Sequence, residues 1–295
     1  MRIFLTGASG FLGSALARYW VTQGQDLWLL VRPSTQLGRL SSLPESVHIV
    51  RTTAIEEIAA AVRDAAPDVI VHTACSYGRK GETALDVMDT NLRLGTVLLQ
   101  AALDTNHQDV SPITFLNAGT VLGPDVSLYA LSKTQFSAWG SAIAERNPDK
   151  LRFIDIGIQQ MYGPGDDRSK FTTHVIEACR YNEPRLALTA GEQLRDFIHI
   201  DDVVRAFNCI LKRRSEFGIS DAIEVGSGNA VTMRSFVELV KKVTGATTML
   251  DFGVVPYRAN EAMLCVANTK RLHDFGWRPS VSLVEGLKDT IDATH

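Results

Sequence analysis

The chain has 295 residues, 45% hydrophobic and 21% charged, which is ordinary globular composition with more material than one typical domain uses. A net charge of -3 offers no electrostatic footprint for nucleic acid or a membrane surface, so neither is expected as a partner. The four cysteines are widely spaced in apolar contexts, without Cys-x-x-C or Cys/His ligand spacing, which predicts buried reduced thiols and no metal site. No signal-like segment opens the chain and no apolar run approaches the ~18 residues of a membrane helix, so a cytoplasmic protein is expected.

Residues 1–6 form a short apolar run that passes directly into Gly7-Ala8-Ser9-Gly10-Phe11-Leu12-Gly13 and then into Ala15, Leu16 and Ala17. Strand, glycine turn and helix follow in the order a dinucleotide fold needs. Gly7 permits the tight turn, Gly10 lets backbone approach a pyrophosphate, and Gly13 allows the helix to pack on the strand. A second strand is predicted over residues 26–31. A carboxylate after it would accept from the free 2′-hydroxyl of NAD, but the chain reads Arg32-Pro33-Ser34. A guanidinium and a hydroxyl there suit a 2′-phosphate and favour NADP(H).

Further strands are predicted at 47–50, 68–73, 113–117 and 151–158, alternating with helical patterns at 85–103 and 131–145. This is the signature of a doubly wound parallel sheet, an α/β fold of the Rossmann kind. Ser76, Tyr77, Arg79 and Lys80 follow the fourth strand at the sheet edge where such folds bind ligands, and read equally as pocket lining or as a solvated loop. In Tyr129-Ala130-Leu131-Ser132-Lys133 a helix makes the phenol and the ammonium neighbours four residues apart. The cation is then expected to lower the phenol's pKa toward working pH, as acid–base chemistry at a carbonyl requires.

After residue 158 the rhythm breaks at Gly163-Pro164-Gly165-Asp166-Asp167, dense turn chemistry that marks the crossing into a second lobe. The chain is expected to return to the sheet near 197–200 and 223–225. The predicted division is therefore a cofactor domain of residues 1–160 plus about 195–226, and a smaller discontinuous α/β substrate lobe of 161–194 plus about 227–295. His199 reads as structural, and Asp201 as the cap of the helix that carries Val203, Val204 and Phe207.

The glycine pattern, the Tyr129/Lys133 pair and Arg195-Asp196-Phe197-Ile198-His199-Ile200-Asp201-Asp202 together resemble the extended short-chain dehydrogenase/reductase family. Asn91-Leu92-x-x-Gly95-Thr96, Met161-Tyr162-Gly163-Pro164-Gly165 and Phe275-Gly276-Trp277-Arg278-Pro279 extend the likeness over essentially the whole chain. Family members mostly act on nucleotide-linked sugars. Within the family, the segments around Tyr129 and Gly191-Glu192-Gln193 look most like reductases making CDP-linked dideoxyhexoses, the abequose or paratose synthase type. The resemblance implies an NADPH-dependent reductase of a nucleotide-diphosphate 4-keto-6-deoxyhexose, with Tyr129 as proton donor and Lys133 stabilising its phenolate. It places Gly7, Ser9, Gly10, Phe11, Leu12, Gly13, Arg32, Ser34, Thr73, Ala74 and Asn91 at the cofactor, and Ser76, Gln160, Arg195 and Arg258 at the substrate. It also implies a homodimer through helices near 92–103 and 131–143.

Two departures matter. Arg51-Thr52-Thr53 stands where many relatives carry an acidic residue near adenine. Ala118 occupies the position where the family has a Ser or Thr that donates to the substrate oxygen, and the nearest hydroxyl is Thr120. Thr120 or Ser76 supplies that donor, or water does, or the substitution is inactivating. Gly119 and Thr120 also replace the Asp-Glu pair of the family's dehydratases, which speaks against dehydration. An epimerase or decarboxylase retaining NAD, and an idle cofactor-binding sensor, are the competing readings.

Overall fold

The computed structural model describes residues 1–105, 111–258 and 260–293. It divides into two compact units, Met1–Gly157 with Ile210–Ile223, and Ile158–Cys209 with Glu224–His295.

The first unit begins with β1 (Arg2–Thr6), α1 (Phe11–Thr22), β2 (Asp26–Val31), β3 (His48–Arg51), α2 (Ile55–Ala65) and β4 (Val69–His72). It continues with α3 (Ala84–Met88), α4 (Leu94–Asp104), β5 (Ile113–Ala118), α5 (Leu128–Arg146) and β6 (Leu151–Ile158). In the second unit β7 (Gln160–Tyr162), α6 (Phe171–Arg180), β8 (Arg185–Leu188) and β9 (Leu194–His199) lead to α7 (Ile200–Lys212), after which β10 (Ser220–Val225) joins the large sheet. The chain ends with β11 (Ala230–Thr232), α8 (Met233–Thr244), β12 (Met249–Phe252), β13 (Leu264–Cys265), α9 (Lys270–Asp274) and α10 (Leu283–Asp292).

The large sheet has the order β10-β6-β5-β4-β1-β2-β3, with parallel pairing from β3 through to β6. This is the Rossmann strand order, and its direction reverses between β1 and β4, where a crevice opens at the strands' carboxyl ends. Because the inner strands are covered by helices on their faces, they are mostly apolar, and every residue of β4 and β5 is buried, the polar His72, Thr114 and Asn117 included. Phe4, Ile70, Leu98, Leu99, Phe115, Phe136 and Phe153 make the core. The Phe115 and Phe153 rings stack at 5.6 Å, and Gly95 brings α4 against α5 because a Cβ there would lie 2.3 Å from the Phe136 ring.

The predicted helix over 85–103 is interrupted. Asp89–Arg93 form a π-helical turn between α3 and α4, with the fully buried Asn91 inside it. Such insertions are common where a helix serves a site.

In the second unit β9 pairs with β11, β13 and β7, away from the large sheet, so the expected return of residues 197–200 to that sheet is corrected. An apolar strand segment does not carry the name of its partner. Here Phe197 stacks on Phe236 at 4.1 Å, and Tyr162, Val175, Val240 and Leu287 complete a separate core. Asp196 is fully buried and accepts from the backbone of Ser227 (2.7 Å), Gly228 (2.9 Å) and Ala267 (3.1 Å), tying three segments together. The return near 223–225 is present as β10. Asp201 lies within the first turn of α7, so it is no cap, and it helps there by facing the helix's positive end.

Candidate active site

The glycine turn lies at the switch point. Gly7 has a φ of +70°, and Gly10 N donates to Gly7 O at 2.8 Å. A Cβ on Gly7 would stand 2.5 Å from Ala74 N, and one on Gly13 2.2 Å from Gly7 O. The segment after β4 is stitched to the same place, with Thr73 Oγ1 donating to Thr6 O at 2.8 Å and Ala74 N to Thr6 Oγ1 at 3.4 Å. Gly10 caps α1 and brings no side chain of its own to the helix start. A glycine cradle at a helix N-terminus fits a pyrophosphate. Ser9, Phe11, Leu12 and Gly13 sit on this turn, Leu12 and Gly13 buried and Ser9 and Phe11 half-buried.

At the end of β2, Arg32, Pro33 and Ser34 are exposed. Two further arginines gather there that sequence reasoning did not assign to the cofactor. Arg39 donates to Ser9 O at 3.4 Å, while Arg51, at the end of β3, donates to Thr35 O at 3.2 Å and Pro33 O at 3.4 Å. Pairing of β2 with β3 was the signal available for Arg51, since it brings Arg51 opposite Val31.

Tyr129 stands in the first turn of α5, whose N-terminus is capped by Ser127 Oγ accepting from Ala130 N at 3.2 Å. Lys133 is only 1% exposed, and among the described residues its Nζ has no hydrogen-bond partner. Burial holds the Lys133 ammonium below its ordinary value, while Cys75 and Asp155 oppose the shift. For Tyr129 burial is again the largest influence and, with Cys75, raises the phenol above its ordinary value. Hydrogen bonds from Thr120 and Tyr77, and the charge of Arg79, act the other way. The expected lowering of the Tyr129 pKa by its helical neighbour is therefore corrected: desolvation prevails and the hydroxyl keeps its proton.

Ala118 closes β5 and is buried. Thr120, two residues on, accepts from Leu122 N at 3.2 Å, and its hydroxyl acts on the Tyr129 phenol against the effect of burial. Tyr77 lies over Tyr129 with ring centroids 4.6 Å apart, and the Arg79 guanidinium is 5.4 Å from the Tyr77 centroid. Asn91 fixes this loop: Oδ1 accepts from Ser76 N at 2.7 Å, and Nδ2 donates to Ser76 O and to Ser132 Oγ, both at 2.9 Å. Its amide is thus engaged with protein. Ser76 is buried, and its hydroxyl meets Gly78 N at 3.4 Å and the Glu82 carboxylate.

Behind Lys133, burial raises the Asp155 carboxyl, against the Asn117 amide that donates to it at 2.6 Å. His72 is fully buried with Nδ1 2.8 Å from Thr6 Oγ1, and burial, then the Lys133 charge, holds it well below its ordinary pKa. Sequence reasoning passed over both, because their meeting depends on strand pairing.

In the second unit Gln160 is half-buried on β7. Arg195, on β9, forms an ion pair with Glu261 and donates to Leu194 O at 2.9 Å. Arg258 is exposed. His199 is 2% exposed, with Nε2 3.2 Å from Asp289 and Nδ1 3.7 Å from Asp201, while Tyr162 meets its ring edge-on at 5.5 Å. Among the described residues no group of three His, Cys, Asp or Glu side chains is placed to hold a metal, and no helix is long and apolar enough to cross a membrane.

The family model described as NAD dependent epimerase/dehydratase matches residues 3–226. A CDP-abequose synthase of Salmonella muenchen is 32% identical over 97% of this chain and 96% of its own length. That of Salmonella typhimurium is 27% identical, covering 98% and 97%. Among solved structures, the UDP-glucose 4-epimerase of Thermotoga maritima with UDP-glucose has a TM-score of 0.84 at 21% identity, covering 100% of this chain and 98% of that one. The Thermus thermophilus UDP-glucose 4-epimerase complex with NAD scores 0.83 at 23% identity, covering 99% and 98%. At these identities the likeness to solved structures speaks for the fold.

Proposed function

The chain belongs to the NAD dependent epimerase/dehydratase family and is an NAD(P)-dependent enzyme acting on nucleotide sugars; from that premise we propose that it is an NADPH-dependent reductase of a nucleotide-linked 4-keto-6-deoxyhexose. The observation that carries the reading is the half-buried Tyr129 in the first turn of α5, with Thr120 beside its phenol and the buried Lys133 one turn on. A protonated phenol is equipped to give a proton to a carbonyl oxygen, the direction that a reduction needs. Full-length likeness to two CDP-abequose synthases supports a CDP-linked dideoxyhexose as product.

NADPH, when bound, supplies the hydride. Gly7, Gly10 and Gly13 leave room for its pyrophosphate beside Ser9, Phe11, Leu12, Thr73 and Ala74, while Arg32, Ser34, Arg39 and Arg51 offer donors for a 2′-phosphate. The unpartnered Lys133 Nζ fits the ribose hydroxyls of the cofactor and sits one turn from the phenol. Tyr129 gives its proton to the substrate oxygen and Thr120 holds that oxygen, in place of the hydroxyl absent at Ala118. Asn91 serves the cofactor side indirectly, by holding Ser76. Ser76, Gln160, Arg195 and Arg258 bind the nucleotide sugar, the arginines through its diphosphate. The reaction takes place in the cytoplasm.

A homodimer through α4 and α5 is supported by Leu131 and Trp139, large apolar side chains that α5 leaves exposed. A monomer in sedimentation at micromolar concentration refutes this.

The test is to mix the protein with NADPH and CDP- or dTDP-4-keto-6-deoxyhexose, 3-deoxy forms included, and follow NADPH absorbance. Consumption is expected, and Tyr129→Phe abolishes it. No consumption with either nucleotide, from a protein purified with NAD retained, overturns the reductase in favour of an internally recycling epimerase or decarboxylase.

A further inference from the structure

We propose that Asp155 is a positioning residue for Lys133: in a polar row built into the sheet beneath α5, it supplies the negative charge that lets a desolvated ammonium keep its proton and act on the Tyr129 phenolate; this deepens the reductase reading above and rests on it. The strand register lays out the row. His72 pairs with Asn117 and Asn117 with Asp155, so the three side chains share one face of β4, β5 and β6. Two residues earlier the same face carries the apolar Ile70, Phe115 and Phe153.

Helix α5 covers both rows with one of its faces. Gly140 lies on Phe153, where a Cβ would stand 2.1 Å from the ring, and Phe136 meets the His72 ring edge-on at 5.3 Å. Ser137 Oγ accepts from Asn117 Nδ2 at 3.5 Å. Lys133 belongs to the same face, one turn before Ser137, and its Nζ is buried without a hydrogen-bond partner among the described residues. A chain of hydrogen bonds ties it to the acid: Asn117 Nδ2 also donates to Asp155 Oδ1 at 2.6 Å, and Ser137 Oγ donates to Lys133 O at 3.1 Å. Asn117 turns its donor to Asp155 while its own Oδ1 stays without a partner among the described residues, the orientation that an ionised carboxylate takes. The carboxylate is also held in place, since a Cβ on Gly119 would lie 2.5 Å from its Oδ1.

The titratable groups around Lys133 are Cys75 after β4, His72 on β4, Asp155 on β6 and Tyr129 on α5 itself. His72 is fully buried and held neutral, so it adds no second positive charge. Asp155 is half-buried and ionises more readily than a fully enclosed acid. Attraction between the two charges needs no direct contact, because the interior screens them far less than water does.

Asp155→Asn keeps the shape and removes the charge. Lys133 in the folded protein then gives up its proton at lower pH, while the unfolded chain keeps it, so stability rises with pH over a wider range. Denaturant unfolding at pH 7 and pH 9 is expected to show an unfolding constant that falls more in Asp155→Asn than in the wild-type protein, by up to about tenfold per pH unit. The added fall is absent when Lys133→Met is combined with it. An equal loss of stability at both pH values, the mark of a merely structural Asp155, overturns the proposal. Lys133→Met alone reads the pair from the other side: without the cation the folded Asp155 holds its proton to higher pH, and stability falls more from pH 5 to pH 7 than in the wild-type protein. An unchanged fall there also overturns it. With NADPH and the keto sugar, Asp155→Asn moves the alkaline limb of kcat down by about 1 pH unit or more and leaves KM unchanged below it; an unmoved limb in an active enzyme overturns the role in catalysis. An inactive wild-type protein refutes the reductase reading instead, and the unfolding series then judges the charge pair by itself.

Discussion

Asn91→Ala probes how the site is assembled. The side chain is fully buried and makes three hydrogen bonds, two to the backbone of Ser76 and one to Ser132 Oγ. Ser132 keeps a partner in Tyr129 O, so the loss falls on the N–H and C=O of Ser76. A buried polar group left unsatisfied costs about 1–3 kcal/mol, so the two together cost about 2–6 kcal/mol. For a unit of this size each kcal/mol moves the melting temperature by about 2–4 °C, which makes the expected fall at least about 4 °C. Thermal unfolding followed by circular dichroism measures it, with Ser132→Ala as the comparison. That variant removes the two hydrogen bonds of the Ser132 hydroxyl, from Asn91 Nδ2 and to Tyr129 O, and leaves both Ser76 groups satisfied, so it loses about 1–2 kcal/mol. Equal shifts in the two variants, or a fall of less than about 2 °C in Asn91→Ala, would show that the loop is held by something other than this amide.

Arg39→Glu should weaken NADPH about 10- to 100-fold in a fluorescence titration and leave NADH nearly unchanged, because the lost charge-assisted bond is to the 2′-phosphate; an equal loss for both cofactors refutes a phosphate contact. His72 predicts a pH dependence. Its folded pKa is depressed, so the unfolded chain takes up the proton first, and stability is full above the unfolded value near ~6.5 and is lost as pH falls toward the folded one. Denaturant unfolding at pH 7.5 and pH 5.5 should show this loss in the wild-type protein and a smaller one in His72→Gln; the same loss in both removes His72 as its cause.

Much of the first unit was legible because its signals are local. The turn from Gly7 to Gly13 needs glycine at fixed spacings, whatever lies elsewhere, and the i, i+4 relation of Tyr129 to Lys133 follows from helical geometry alone. Inner strands covered on both faces are mostly apolar, which made β2 and β6 readable to the residue despite Asp26, Arg152 and Asp155. The same reasoning failed for residues 197–200, since an apolar strand does not encode which sheet it joins.

What the amino-acid order determined by itself was the cofactor-binding unit, its glycine turn and its tyrosine–lysine pair, all contained within a few turns of chain. Tertiary structure alone brought Thr120 and the tilted Tyr77 ring beside Tyr129, Arg39 to the backbone of Ser9, and Arg51 to the backbone of Pro33 and Thr35. It also decided the protonation of Tyr129, because a pKa depends on how deeply a group is desolvated and on which charges surround it. Those neighbours arrive from β4, β5 and α5, brought together by strand pairing between residues tens of positions apart, and no local pattern records them.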